Sequence, residues 1–339
     1  TSEDANLDFL YNNFLSDFFV LCMKGINGLF ADYALSIVII TILIRFALLP
    51  LDLKQRGNQA KMSALGPEIQ SLQKRYANNP GQLQKKQQAL YRKMKIHPML
   101  GCLPMLIQMP ILFAFFGAMR VLASEQTIGL ILDAAQNGAS SVQLPSFFWI
   151  HNFWQPDSFI GQGASILPPS TGFLSFVQSN STYIPPQTLD LLRSQGLLDF
   201  STGAMYVPTD AYNTLTTDIL RANGFWNESL GAPTNANGYL ILPILAGAAL
   251  FLQQKFNPAA AQNAMMGATG AGTEQQEAQG CTNKMMLWMM PLFSIFFCAV
   301  SNSAFALYWF VSSIYAFAQM KVVDIIKKKK LEKQQITVS

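Results

Sequence analysis

Five stretches of the chain, 34–51, 99–119, 239–252, 285–300 and 304–320, contain no charged side chain apart from Arg45. A helix needs ~20 largely apolar residues to cross a bilayer, so each stretch predicts a transmembrane span. The 239–252 stretch is short, but Gln253, Gln254 and Lys255 can extend it into the headgroups by snorkelling. Ser301-Asn302-Ser303, between the last two stretches, predicts the tight turn of a hairpin. The chain is 50% hydrophobic and only 12% charged, with a mean hydropathy of +0.23, too few charges to cover a soluble domain of 339 residues. The expected fold class is an all-α membrane protein with five spans.

Loop charge orients the spans, because Lys and Arg gather in cytoplasmic loops. Between 52 and 98 stand Lys54, Arg56, Lys61, Lys74, Arg75, Lys85, Lys86, Arg92, Lys93 and Lys95 against Asp52 and Glu68 alone, which places this segment inside. From 120 to 238 the balance reverses to three basic and eight acidic residues, and the tail, with its run from Lys327 to Lys330, is basic again. The N-terminus is therefore expected outside and the C-terminus in the cytoplasm. No basic-then-apolar leader precedes the first span, so a signal segment is expected to be absent or removed.

These signals divide the chain. An external segment, 1–33, carries an amphipathic helix at the outer interface, because Leu7, Leu10, Phe14, Phe18 and Leu21 recur at helical spacing; a sixth span competes with this reading but would have to accommodate Asp17 and Lys24. The first span, 34–51, leads into a cytoplasmic helical hairpin, 52–98, which turns at Asn78 to Gly81 and carries a thin apolar stripe of Leu83, Leu90, Tyr91 and Met94. The second span, 99–121, leads into an external loop, 122–238, whose aromatic run from Leu144 to Phe159 suits the headgroup level. Within that loop, 160–237 forms an extra cap with helices expected after Pro186 and Thr209, ending near Gly196 and Gly224. The third span, 239–256, a flexible cytoplasmic loop, 257–284, the fourth span, 285–301, the fifth, 304–322, and a basic tail, 323–339, complete the chain.

Residues that offer chemistry are scarce. His97 and His151 are the only histidines, and neither H-E-x-x-H, nor G-x-S-x-G, nor a paired intramembrane aspartate occurs, which removes the common routes to a membrane protease or metalloenzyme. Cys22, Cys102, Cys281 and Cys298 form no C-x-x-C pair, so neither a disulfide framework nor a metal site is expected. Gly267 to Gly272 reads GATGAG but lacks the Lys-Ser/Thr ending of a phosphate loop and follows no strand. Two acceptor sequons, at Asn180 and Asn227, matter only in a glycosylating compartment. No cofactor, no enzymatic activity and no DNA partner are expected.

Arg45 remains. An arginine at mid-membrane costs at least ~2.5–3.5 kcal/mol and by default faces protein or a water-filled cavity. Arg45 lies about 17 Å into a core of about 30 Å, and although it can snorkel to the inner headgroups, side chains lean toward the helix N-terminus, here outward. Thr41 shares its face; Gly101, Pro104 and Gln108 share one on the second span; Tyr308, Ser312, Tyr315 and Gln319 share one on the fifth. Each polar residue alone is explained by interhelical hydrogen bonding. Their combination with an arginine, in spans that contain no Asp or Glu, predicts a hydrated groove with a free positive charge.

The segments "LIRFALLPLDLKQ", "MSALGPEIQSLQKRY", "HPMLGCLPMLIQMPILFAFF", "FFWIHNFWQPD", "YLILPILAGAALFLQQK", "MPLFSIFF" and "ALYWFVSS" together resemble, in order, the signatures of the YidC/Oxa/Alb membrane protein insertases. The resemblance covers most of 30–155 and 238–320. It implies five spans around a groove open to the cytoplasm and to lipid, in which Arg45 holds substrate charge with Thr41, Gln108, Tyr308, Ser312, Tyr315 and Gln319 lining the groove. It implies insertion of short nascent membrane proteins without nucleotide, received by the basic hairpin, in a bacterial plasma membrane of the Gram-positive type. The hairpin and tail are candidate contacts for the ribosome and the Sec translocon. The chain departs from the pattern in the insertion at 160–237, in Ser303-Ala304-Phe305 where Pro-Ala-Gly is usual, and in Ser313 where Asn is usual. The rival reading is a small polytopic transporter or channel with an Arg-lined cavity, which would be expected to show an internal repeat or paired broken helices.

Overall fold

The computed structural model describes residues 13–94, 103–160, 165–181, 183–201, 203–234, 236–256 and 276–336. Leu7, Leu10, Lys95, His97, Gly101, Cys102 and the stretch 257–275, with its GATGAG run, lie outside these residues.

Helix α1, Phe14–Phe30, starts where the Asn13 side chain accepts from the backbone of Leu15 and Ser16, and stops at Ala31, whose left-handed φ of 52° returns its N–H to Asn27. Its buried face is Ser16, Phe19 and Met23, while Phe14, Phe18 and Leu21 of the expected stripe are exposed. Asp32 then caps the next helix through Ala34 and Leu35.

That helix, α2, runs unbroken from Tyr33 to Ala64, past the expected boundary at residue 51. Pro50 sits inside it and removes a single backbone donor, and the Lys, Gln, Arg and Ala residues that follow are good helix formers. Helices α3, Gly66–Arg75, and α4, Pro80–Lys93, stand either side of the turn at Tyr76 to Asn79 and pack Ile69, Leu90 and Tyr91 around buried Leu65. Burial raises the Tyr91 phenol above its ordinary pKa.

Helix α5, Leu103–Asn137, likewise outruns its expected end at 121. Then come α6, Ser170–Ser179, α7, Pro186–Ser194, α8, Thr209–Ala222, and a two-stranded antiparallel hairpin of β1, Trp226–Asn227, and β2, Ala232–Pro233. Helices α9, Ile241–Phe256, α10, Gln276–Val300, and α11, Ser303–Ile336, complete the described chain. The fourth expected span therefore lies in a helix that begins at 276, inside the segment expected as loop. Tyr33–Asn58, Ile107–Asn137 and Ser303–Ile326 are long and apolar enough to cross a membrane, and Ile241–Phe256 and Trp288–Val300 are shorter apolar helices. The protein is all-α in character and a multi-pass membrane protein.

The chain packs as two units. The first comprises Thr1–Val38, Phe113–Leu245 and Ile295–Trp309; the second comprises Ile39–Leu112, Ala246–Ser294 and Phe310–Ser339. In the first unit the cap has no separate core. Ile128, Ile131 and Ala134 of α5 share one apolar cluster with Phe173, Val177, Leu192, Tyr212 and Ile219 of the cap helices. The Tyr212 hydroxyl donates to Pro168 O at 2.8 Å, and burial pushes its pKa far up. A second apolar cluster stacks Tyr308 on Phe115, ring centroids 4.1 Å apart, with Phe19, Phe116, Phe297 and Phe305 around them.

Candidate functional site

The charged side chain that the sequence singled out lies in the second unit. On α2 the Arg45 guanidinium is half-buried, and its Nε donates to Ser312 Oγ of α11 at 2.9 Å, with Nη2 turned to the same oxygen. One residue on, the Phe46 ring meets Tyr315 edge-on at 5.7 Å. Further along, Arg56 Nη2 donates to Ala316 O at 3.3 Å. Thr41 and Gln319 are both buried in this unit, and Gln108 is half-buried. Tyr308 belongs to the first unit, in its aromatic stack.

The buried helix positions of this unit are mostly small or polar. Among the described residues of the second unit, the buried helix positions include Thr41, Ala246, Ala249, Ser294, Ser312, Ser313, Ala316 and Gln319. Small residues let helices approach, and their hydroxyls supply partners for a cation in a low-dielectric setting.

One premise of the sequence reading is corrected here. Because α2 continues through Pro50, Asp52 is not on a separate hairpin but on the same helix, seven residues and about two turns beyond Arg45. It interacts electrostatically with both Arg45 and Arg56. Arg45 is thus accompanied by a carboxylate, although no salt bridge within 4 Å involves it among the described residues.

The basic residues expected on the hairpin separate into two groups. Lys54, Arg56 and Lys61 belong to α2; Lys74 and Arg75 lie at the end of α3, and Lys85, Lys86, Arg92 and Lys93 on α4. All but Arg56 are exposed, and Lys95 is outside the described residues.

The sequence reading missed a polar clamp in the first unit. The buried Asp157 carboxylate accepts from the backbone N–H groups of Tyr239, Leu240 and Leu242 at 2.7–3.1 Å and from the Trp149 indole at 3.0 Å, and so caps the start of α9. A side chain at Gly238 would collide with it: a Cβ there would lie 2.1 Å from Asp157 Oδ1. Asn237, fully buried, accepts from Asn152 N and donates to Asn152 O and Pro156 O. Ser303, where Pro is usual, donates through both its N and its Oγ to Gln155 O, while Asn302 caps Phe305. A tight helical hairpin is therefore built without proline. The only local signal for this clamp is the run from Trp149 to Asp157, since its partners Asn237, Tyr239, Leu240 and Leu242 lie over eighty residues away.

Among the described residues, Cys22 and Cys298 take part in no disulfide, and no group of three potential metal ligands occurs.

A multi-pass helical membrane protein with a cation held between two long helices is thereby defined. The family model described as 60Kd inner membrane protein matches residues 25–207 and 202–330, and the chain belongs to that family. It is 40% identical to the membrane protein insertase YidC of Clostridium perfringens over 151 residues, 44% of this chain and 55% of that protein. It is 36% identical to the insertase of the same name from Fusobacterium nucleatum over 172 residues, 51% of this chain and 72% of the relative. To membrane protein insertase YidC 2 of Bacillus anthracis it is 26% identical over 317 residues, 91% of this chain and 80% of the relative. The chain spans about half the length of the Clostridium perfringens relative.

Proposed function

We propose that this protein is a membrane protein insertase whose five apolar helices enclose a hydrophilic groove open to the cytoplasm and to lipid. The external N-terminal segment of a short nascent membrane protein enters the groove, Arg45 holds its negative charge, and the apolar segment moves into the bilayer. The observation that carries the reading is Arg45 on α2, half-buried and hydrogen-bonded to Ser312, in a unit whose buried helix positions are mostly small or polar. A cation so held is positioned for an anionic segment at little further loss of side-chain freedom. Transfer of a run of leucines and valines into the membrane is downhill by about 0.3–0.6 kcal/mol per residue, so no nucleotide is needed. Support for the substrate class is the family match and the names of the relatives.

In this reading the N-terminus is outside and the C-terminus in the cytoplasm of a bacterial plasma membrane. The exposed lysines and arginines of α3 and α4 receive substrate and, with the tail, face the ribosome or the Sec translocon. Impermeant thiol reagents added to intact cells then label Leu230→Cys and not Lys85→Cys, in a background without native cysteines. The reverse pattern overturns the orientation.

The functional test is insertion of a single-span substrate into proteoliposomes without ATP. For substrates with acidic external segments, Arg45→Lys retains at least about half of the wild-type rate, because charge rather than fork geometry is used, and Arg45→Ala loses about tenfold or more. Wild-type rates in Arg45→Ala across several acidic substrates refute the electrostatic role.

A further inference from the structure

Three charged residues share one face of α2. Arg45, Asp52 and Arg56 stand seven and four residues apart on an unbroken helix, within about 20° of a common line. The face of α11 that meets them repeats the same spacing. Arg45 donates to Ser312 Oγ and Arg56 to Ala316 O, and Gln319 stands seven residues beyond Ser312 on α11 as Asp52 stands seven beyond Arg45 on α2. Two helices running parallel in fixed register produce this ladder, and every member lies in the second unit. Asp52 is half-buried between two guanidinium groups and interacts with both.

We propose that Asp52 is a built-in counter-ion of Arg45 that sets the charge a substrate must carry to be held. An arginine among buried small residues with no internal acid would attract any anion, including chloride and lipid phosphate. With Asp52 nearby, an incoming carboxylate gains only the difference between its own attraction to Arg45 and what Asp52 already supplies. Specificity is such a difference, and a resident competitor raises the threshold for weakly charged segments more than for strongly charged ones. Arg56, on the far side of Asp52, receives the displaced carboxylate, so displacement leaves no charge unpaired. The inference rests on the insertase reading and assigns a specificity-determining residue to it.

The test uses proteoliposomes with the full-length protein and three single-span substrates that differ only in carrying zero, one or three acidic residues in the external segment. Asp52→Asn raises insertion of the one-acid substrate on the order of three- to tenfold, the size of a single charge–charge interaction across a partly hydrated site. The three-acid substrate changes less than about twofold, because it already outcompetes Asp52. Asp52→Glu keeps the wild-type dependence on charge, and Asp52→Asn adds nothing in an Arg45→Ala background. An unchanged charge dependence in Asp52→Asn, or a fall for all three substrates alike in both Asp52→Asn and Asp52→Glu, overturns the counter-ion role. Wild-type rates in Arg45→Ala sink the insertase mechanism instead, so the two failures are told apart.

Discussion

The two units bury different kinds of side chain. In the first, large apolar side chains are buried beside the polar clamp of Asn152, Asp157 and Asn237: Phe115, Met119, Leu122, Phe305 and Tyr308 around one aromatic stack, and Ile131, Phe173 and Tyr212 around the cap. In the second, apart from Ile40, Leu83 and Met320, the buried helix positions among the described residues are mainly Ala, Ser, Thr and Gln. Half of the most apolar window of Ile107–Asn137 is buried, against 28% for Tyr33–Asn58 and for Ser303–Ile326. Large side chains in close contact resist opening, because each missing contact forfeits dispersion and leaves a void. Small polar ones lose little when water or a peptide enters. The difference teaches that one chain can separate a tightly packed region from one whose buried helix positions are small by side-chain size along the same helices, which is what the proposed groove requires.

The largest effect separates the units. Asp157→Ala removes the acceptor for three backbone N–H groups and an indole, and is expected to lower stability by on the order of 3 kcal/mol. Ser312→Ala changes stability by less than about 1 kcal/mol, since α11 can still pack, but frees the Arg45 side chain. Insertion of acidic substrates by Ser312→Ala then falls a few-fold, about the loss expected from one less ordered charged group. Circular dichroism melting in detergent beside a liposome assay measures both. The comparison breaks if Ser312→Ala unfolds as readily as Asp157→Ala.

The existence of the apolar helices was legible because the signal is local: long charge-free runs need no knowledge of partners. Their ends were not. Proline 50 followed by Asp52 and Lys54 looks like the end of a span, yet a proline costs a helix one hydrogen bond and the residues after it favour helix. Asp52 therefore reads as the start of a separate cytoplasmic hairpin, which hides its relation to Arg45. The end of α5 was missed for the opposite reason. Ile128, Ile131 and Ala134 form an apolar stripe, but only the cap shows what covers it. Helices α7 and α8 were marked by Pro and Gly, while α6, preceded by Pro168 and Pro169, was not noticed. Helical spacing puts Ser312 and Tyr315 on one face of the fifth span, and there Ser312 bonds Arg45 and Tyr315 meets Phe46, whereas Tyr308 has the same spacing but stacks on Phe115.

A smaller effect sharpens the comparison on the side of the first unit. His151 packs its ring 4.4 Å from Phe225, and Nε2 is buried without a hydrogen-bond partner among the described residues. Burial lowers its pKa below the ordinary value of about 6.5. The unfolded chain therefore binds a proton that the folded protein resists, so stability is unaffected at neutral pH and is lost as pH falls through about 6.5 toward the folded pKa. Melting at pH 7.5 and at pH 5.5 is expected to show a larger acid-induced drop for wild type than for His151→Gln. An equal drop in both assigns acid sensitivity to other groups.

The smallest expected effect is on insertion when the cap is shortened. The cap carries Asp190, Asp199, Asp210, Asp218 and Glu228 against Arg193 and Arg221, a net −3 that would repel acidic substrate segments along their route. A peripheral cap should therefore be dispensable for chemistry that uses Arg45. Deleting it from residue 161 to 237 would, however, remove Asn237 from the clamp and uncover the stripe on α5, confounding fold with function. The informative variant replaces 170–234 with a short Gly/Ser linker, keeps Asn237 and Asp157, and changes Ile131 and Leu144 to Thr so that the uncovered face does not drive aggregation. Its insertion rate for a simple single-span substrate is expected to stay within about twofold of wild type, because no groove residue is touched. The protein must also melt cooperatively, which reports an intact clamp. If it does so and yet inserts nothing, the substrate's path runs through the cap, and the division into a packed scaffold and a small-residue binding surface fails at the point where it was drawn most sharply.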